Sequence, residues 1–329
     1  MTYDEYVAST MIPFVEIEAA TNDSAAENMI SQGICKGQLS VSGDVINIVA
    51  RICPPSCVAI EMLISYGSNH KNICSAFKHS QTVVIIPIAI LISKYVANGS
   101  LNKYLSDSQT LTWMQRLRIC VGVAHALSHL HNDILRDDCI IHGSIKSSKI
   151  LLDDHWEPKL CDFKYSMVVK KGDVHRPREY WDQSGYRDPE YNETKSLSHK
   201  SDVFSFGVVL FEVLFGSEAS TYFQPNEDQD AYWYLARLAR QHYEEKRLDD
   251  MIDSDLQKQM SLQSMTIFSE TAYFCLKEVR AERPDINQVV RKLEKALQLQ
   301  QKHDQNQEHL TDTAVESRIS RHLKAGARL

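Results

Sequence analysis

Between Ile141 and Phe163 the chain gathers an imidazole (His142), a hydroxyl (Ser144), two ammoniums (Lys146 and Lys149) and a carboxylate (Asp162). Asp162 is a hard oxygen ligand of the kind Mg²⁺ takes, and Lys146 is a point charge able to hold an anion. Ser144 is uncharged at neutral pH and a weak base. Far upstream, Arg51 closes the phrase Val49-Ala50-Arg51, and Glu61 follows it. An Arg can pair with Glu61, but its planar fork replaces poorly a compact ammonium reaching into a phosphate site. Gly33 and Gly37 punctuate the segment from Ile30 to Gly37, and two isolated glycines read most simply as a turn. These residues permit contact with anions and cations.

The elements that must position them fall into two groups. Residues 39 to 51 and 83 to 96 are rich in Val and Ile, as strands of a small sheet are. The run from Val83 to Ile92 is too short to span a bilayer and contains Pro87, so it reads as one buried strand. Ala97-Asn98-Gly99-Ser100 is a polar break. After it, Trp113 to Leu130 places Leu117, Ile119, Cys120, Val123, Ala124, Ala126 and Leu127 at helical spacing. The same periodicity recurs at Val203 to Leu214, Thr266 to Leu276 and Ile286 to Leu299. Pro54 and Pro55 limit the room for a helix carrying Glu61, because neither fits a helix interior.

A chain of 329 residues with 43% hydrophobic content can bury a sizeable core. Its net charge of −7 gives no footprint for nucleic acid or an anionic membrane. Of eight cysteines only Cys53 and Cys57 lie close together, without a second pair or nearby His ligands, so reduced buried thiols are expected rather than a metal site. The start lacks the basic and apolar regions of a signal peptide.

Further motifs lie downstream. Asp188-Pro189-Glu190, Ser201-Asp202-Val203-Phe204-Ser205-Phe206-Gly207 and Glu282-Arg283-Pro284 follow in that order, and Phe14 to Asn22 reads FVEIEAATN. Together with the stretch from Ile141 to Phe163, these resemble the cytoplasmic kinase domain of plant receptor-like kinases over roughly residues 14 to 298. The likeness is strong in the second half and weak in the first.

The resemblance implies roles position by position. Ser144 stands where the pattern His-Arg-Asp-x-x-x-x-Asn has its catalytic Asp, Lys149 where it has its metal-binding Asn, and Gly143 replaces the Arg. Losing a positioned base costs on the order of 10² to 10⁴ in rate, and an ammonium at the Asn position repels Mg²⁺. His142 would pack beneath the loop, with Phe163 stacked near it, and Lys146 would match a lysine that contacts phosphate. Asp162-Phe163-Lys164 stands for Asp-Phe-Gly and keeps the metal ligand Asp162. Arg51 falls near the strand lysine with Glu61 its partner. Ala50 and Leu151 would sandwich an adenine. Gly33 and Gly37 are what remains of a phosphate-covering hairpin about four residues shorter than the pattern. Glu190 and Arg283 match a buried ion pair, and Asp202 a residue that bonds the catalytic-loop backbone. Lys164 to Asp188 would be the activation loop, with a basic cluster at Lys170, Lys171, His175, Arg176 and Arg178.

The expectation is therefore an α+β, bilobal protein-kinase-like fold: residues 1-13 an extension, 14-97 a shortened β-rich N-lobe, 98-299 a large helical C-lobe, and 300-329 a polar, mobile tail. The expected function is a pseudokinase that signals by docking to other protein kinases or receptor-complex proteins, with ATP and Mg²⁺ bound weakly or not at all. The expected location is cytoplasmic, at the inner face of the plasma membrane through partners, with no transmembrane segment in this chain. An atypical Ser/Thr kinase using Asp162, Lys146 and Arg51 is the alternative, and a decayed product without stable function is a third reading.

Overall fold

The computed structural model describes residues 1–23, 25–67, 69–83, 87–177, 185–222 and 234–326. The first half builds an antiparallel sheet from β1 (Met29–Ser31), β2 (Ile34–Val41), β3 (Asp44–Cys53), β4 (Lys78–Val83) and β5 (Pro87–Lys94), in the order β1-β2-β3-β5-β4. Helices α1 (Tyr3–Thr10), α2 (Phe14–Thr21) and α3 (Ser56–Gly67) pack around it. Pro54 and Pro55 precede α3 rather than shorten it, and Cys57 N–H donates to the Pro54 carbonyl at 3.0 Å as the helix begins.

One expectation changes here. The run from Val83 to Ile92 is not one strand: Val83 ends β4 and pairs with Pro87, which opens β5. Proline lacks the N–H that an interior ladder position needs, so the strand starts there. Residues 1–13, expected as an N-terminal extension, dock against this lobe. Tyr3 OH donates to the Ala59 carbonyl at 2.7 Å, Tyr6 OH meets Ser65 Oγ at 2.7 Å, and Ile12 N–H donates to the His79 carbonyl at 2.9 Å. Apolar faces of Tyr3, Tyr6 and Val7 close the small core of Cys53, Val58, Met62 and Leu91.

The second half is helical: α4 (Trp113–Asn132), α5 (Pro189–Thr194), α6 (His199–Phe215), α7 (Tyr234–Glu244), α8 (Ser254–Gln257), α9 (Leu262–Cys275) and α10 (Ile286–Gly326). Short strands β6 (Gly99–Ser100), β8 (Ile150–Leu152) and β9 (Pro158–Leu160) form one ribbon, while β7 (Asp138–Ile141) and β10 (Met167–Lys170) form another. Capping boxes start α4 at Thr112 and α6 at Ser198. α6 is buried from Ser201 to Phe215 and is the axis of the lobe. Trp113 packs edge-on against Phe268, with ring centroids 4.9 Å apart. Arg116 is wholly buried and is held by carbonyls, donating to those of Leu111 at 2.8 Å and Leu105 at 2.6 Å.

The boundary at residue 300 falls inside α10, which continues to Gly326. Gln300 is buried, accepts from Ser261 N–H at 2.8 Å and donates to the Gln259 carbonyl at 2.7 Å. A polar residue thus anchors what composition alone reads as the start of a loose tail.

Candidate active site

The site lies where β3 and α3 face the loops after β7 and β9. Arg51 on β3 sends Nη2 to Glu61 of α3 and Nη1 to Asp162 Oδ1, the latter at 2.9 Å. Glu61 is fully buried and also accepts from Ala76 N–H at 3.1 Å. Burial alone lowers the Arg51 guanidinium, but Glu61 and Asp162 outweigh it and hold the charge.

The loop after β7 is fixed from below by Asp202 of α6. Its buried carboxylate accepts from His142 N–H at 2.7 Å, Gly143 N–H at 2.8 Å and His131 Nε2 at 3.0 Å. Gly143 has φ +72°, and a Cβ there would stand 2.8 Å from the Tyr165 carbonyl oxygen, so glycine suits both its angle and its neighbour. His142 faces the Cys161 carbonyl through Nε2 at 3.2 Å, which places the proton on Nε2. Its Nδ1 then accepts from Ser144 N–H, also at 3.2 Å. Burial pushes His142 down to about 4, and its ring lies 5.0 Å from that of Phe163. This imidazole is neutral at pH 7.

Lys149 sits on the same loop, buried, with Nζ 2.9 Å from Asp162 Oδ2 and hydrogen-bonded to Ser144 Oγ. Desolvation draws the ammonium's pKa down, while Asp162 opposes the change. Burial likewise works to raise Asp162, but Lys149 and Arg51 together keep the carboxyl below its ordinary range. Each Asp162 oxygen therefore faces a protein cation. A continuous chain of polar contacts runs Glu61, Arg51, Asp162, Lys149, Ser144 across the cleft. Lys146 is half-buried on the same loop, and Lys164 is exposed with Nζ 5.3 Å from the Tyr165 ring centroid.

Not every residue singled out in the sequence reaches this point. Ser31 pairs with Ile34, which faces Arg51, and the Gly33 carbonyl accepts from Ile52 N–H at 2.8 Å. The β1–β2 turn therefore stops level with Arg51. Gly37 lies farther along β2, opposite Ile48 and beneath α2, where an added Cβ would meet the Ala20 carbonyl oxygen at 2.2 Å. There Gly37 lets α2 pack closely on the strand. Ala50 is buried between Cys35 and Ile92, and Leu151 is half-buried on β8 opposite Lys159.

The matching family profile is that of protein tyrosine and serine/threonine kinases, and it covers residues 57–293. The chain belongs to the protein kinase family. Its relatives include three receptor-like protein kinases of Arabidopsis thaliana. HERK 1 is 34% identical over 89% of this chain and 36% of the relative, and FERONIA is 32% identical over 89% and 33%. THESEUS 1 is 38% identical over 64% of this chain and 24% of the relative. The chain thus spans about a third of the length of such relatives. Among the described residues no helix is long and apolar enough to cross a membrane.

One kinase-domain pairing differs from the sequence reading. Arg283 donates to Asp188 at 2.8 Å, not to Glu190. Asp188 is fully buried and also receives Arg280 Nε at 2.5 Å and Ser201 Oγ at 2.7 Å. Glu190, in the first turn of α5 and partly exposed, accepts from Arg280 N–H at 2.6 Å. The shorter acid at the helix cap points inward, whereas the longer one lies at the rim. Arg280 and His131 are the site's supports that sequence reasoning missed. In the basic segment, Lys171 donates to the Asn132, Leu135 and Arg136 carbonyls at 3.0 to 3.2 Å, and Arg178 lies outside the described residues.

Proposed function

We propose that this protein kinase domain is a pseudokinase: a signalling module that acts by docking to active receptor-like kinases or their complexes at the cytoplasmic face of the membrane. The observation that carries this reading is Lys149 Nζ at 2.9 Å from Asp162 Oδ2 while Arg51 holds Oδ1 at 2.9 Å. The kinase family uses Mg²⁺-ATP, but this donor set does not suit Mg²⁺. The retained carboxylate is neutralised on both oxygens, and Lys149 brings a donor and a like charge where the metal needs an acceptor. Ser144, bonded to Lys149, offers no base for a substrate hydroxyl. The ion-pair chain supplies what a bound nucleotide and metal supply elsewhere, tying α3 to the catalytic loop. The domain then presents a kinase-like surface without turnover.

The test is phosphate transfer from labelled ATP to a generic protein substrate. The wild-type chain is expected to show none above background. The double change Ser144→Asp with Lys149→Asn is expected to gain Mg²⁺-dependent transfer, whereas Ser144→Asp alone gains nothing because Lys149 captures the new carboxylate. Transfer by the wild-type chain that disappears in Asp162→Ala would instead establish a residual kinase.

A further inference from the structure

Asp202 ties the loop after β7 to His131 of α4, and His131 in turn lines a cavity of about 380 Å³ away from the ion-pair chain of the cleft. The end of α4, strand β7, the residues after β10 and the first turns of α6 and α10 surround it.

One side of this lining is built for an anion. Two helices begin there, α6 at His199 and α10 at Ile286. Their caps serve later amides: Ser198 Oγ accepts from Lys200 N–H at 3.2 Å, and Asp285 Oδ1 from Gln288 N–H at 2.9 Å. The amides of His199 and Ile286 come before any intrahelical acceptor, so each helix start carries the partial positive charge that suits phosphate. Lys171 and the exposed Arg291 add two cations to the wall.

The other side offers an acceptor that lacks a partner. His131 is 3% exposed, and its Nε2 faces Asp202 Oδ2 at 3.0 Å. That carboxylate also accepts two backbone amides, so the His131 proton lies on Nε2 and Nδ1 keeps a lone pair. Nδ1 is buried with no hydrogen-bond partner among the described residues, a costly state that a ligand donor relieves. The half-buried His199 stands edge-on beside this ring, with centroids 5.8 Å apart.

We propose that this cavity binds a small hydroxylated phosphate monoester, a molecule of sugar-phosphate size. The phosphate oxygens accept from the starts of α6 and α10, while Lys171 and Arg291 balance the charge. A hydroxyl of the ligand donates to His131 Nδ1 once the His199 ring turns aside. Asp285, the acid of the lining, spends Oδ1 on Gln288 and has a second oxygen for another hydroxyl. The volume lies at the small end of ligand pockets, which suits such a molecule better than a bare anion or a larger one. Because Asp202 also holds the His142 and Gly143 amides, a ligand on His131 touches the network that fixes the catalytic loop.

Calorimetric titration of the full chain with glucose 6-phosphate, glucose and sulfate tests this. The expected result is one site for glucose 6-phosphate, about tenfold or more tighter than sulfate, and no heat from glucose. Arg291→Glu, on an exposed position of α10, should weaken the sugar phosphate by about tenfold or more. His131→Phe should bring its affinity down to that of sulfate, and Arg291→Glu alone is decisive if that variant fails to fold. Three results would each overturn the inference: no binding of glucose 6-phosphate in the millimolar range, sulfate bound as tightly, or binding that Arg291→Glu leaves unchanged.

Discussion

At Asp162 three residues decide what a carboxylate does. It keeps the chemistry of a metal ligand, but Lys149 and Arg51 each sit 2.9 Å from one of its oxygens. Lys149→Asn removes one of these cations, and Mg²⁺ is then expected to raise the melting temperature of the variant but not of the wild type, read by thermal shift. A second prediction concerns Asp188, which is fully buried between Arg280 and Arg283. Breaking such a pair leaves charges unpaired and costs about 3–5 kcal/mol, so Asp188→Ala should lower stability in urea unfolding by that order. Glu190→Gln, at the rim, should change it by about 1 kcal/mol or less. The sequence shows both acids two places apart in one motif, yet which one turns inward depends on the α5 cap, and that is a matter of geometry. Ser144 and Lys149 are different, because side-chain type alone decides what they offer: a hydroxyl is a weak base and an ammonium has no acceptor for a metal.

Elements were legible where periodicity was long. α4 and α6 announce themselves through helical spacing, and the structure adds capping boxes at Thr112 and Ser198. The strand boundary at Pro87 was not legible, because the apolar run continues through it and composition does not show that Val83 belongs instead to the polar strand β4, which reads KHSQTV. Gly37 was legible as a glycine but not as the floor of a helix, since only the fold brings Ala20 over it. Gly37→Ala should displace α2 and destabilise the N-lobe by about 1–3 kcal/mol. Urea unfolding followed by far-ultraviolet dichroism measures this, and an unchanged midpoint would remove α2 packing as the reason for that glycine. α10 carries the same lesson at the other end: Gln300 is polar, yet its side chain closes the Ser261 and Gln259 backbone.

For the molecule as a whole, buried titratable groups set the dependence of stability on pH. Burial holds His142 and His199 each at about 4, against 6.5 for free histidine. Between those values the unfolded chain binds more protons, so both make the fold lose stability as pH falls from 6.5 towards 4. Glu212 in α6 acts in the opposite sense, since burial raises it from 4.5 to about 7 and its share of stability is lost as pH rises through 7. The two histidines therefore make stability climb with pH between 4.5 and 6.5, while Glu212 opposes the climb and lowers stability between 6.5 and 7. Glu212→Gln should steepen the climb and remove the fall above 6.5, which melting curves across pH would reveal. The bilobal kinase plan itself was readable from motif order alone. The cross-cleft ion pairs were not, because they join residues far apart in sequence through Arg51 and Asp162.

The central claim, that internal cations have taken the place of the metal, is met most directly by a thermal-shift titration of the wild-type chain with ATP, with and without Mg²⁺. The account predicts one cooperative melt whose midpoint does not move when Mg²⁺ is added to the nucleotide. A midpoint that rises only with Mg²⁺ and ATP together, and loses that rise in Asp162→Ala, would show a working metal-nucleotide site and contradict it.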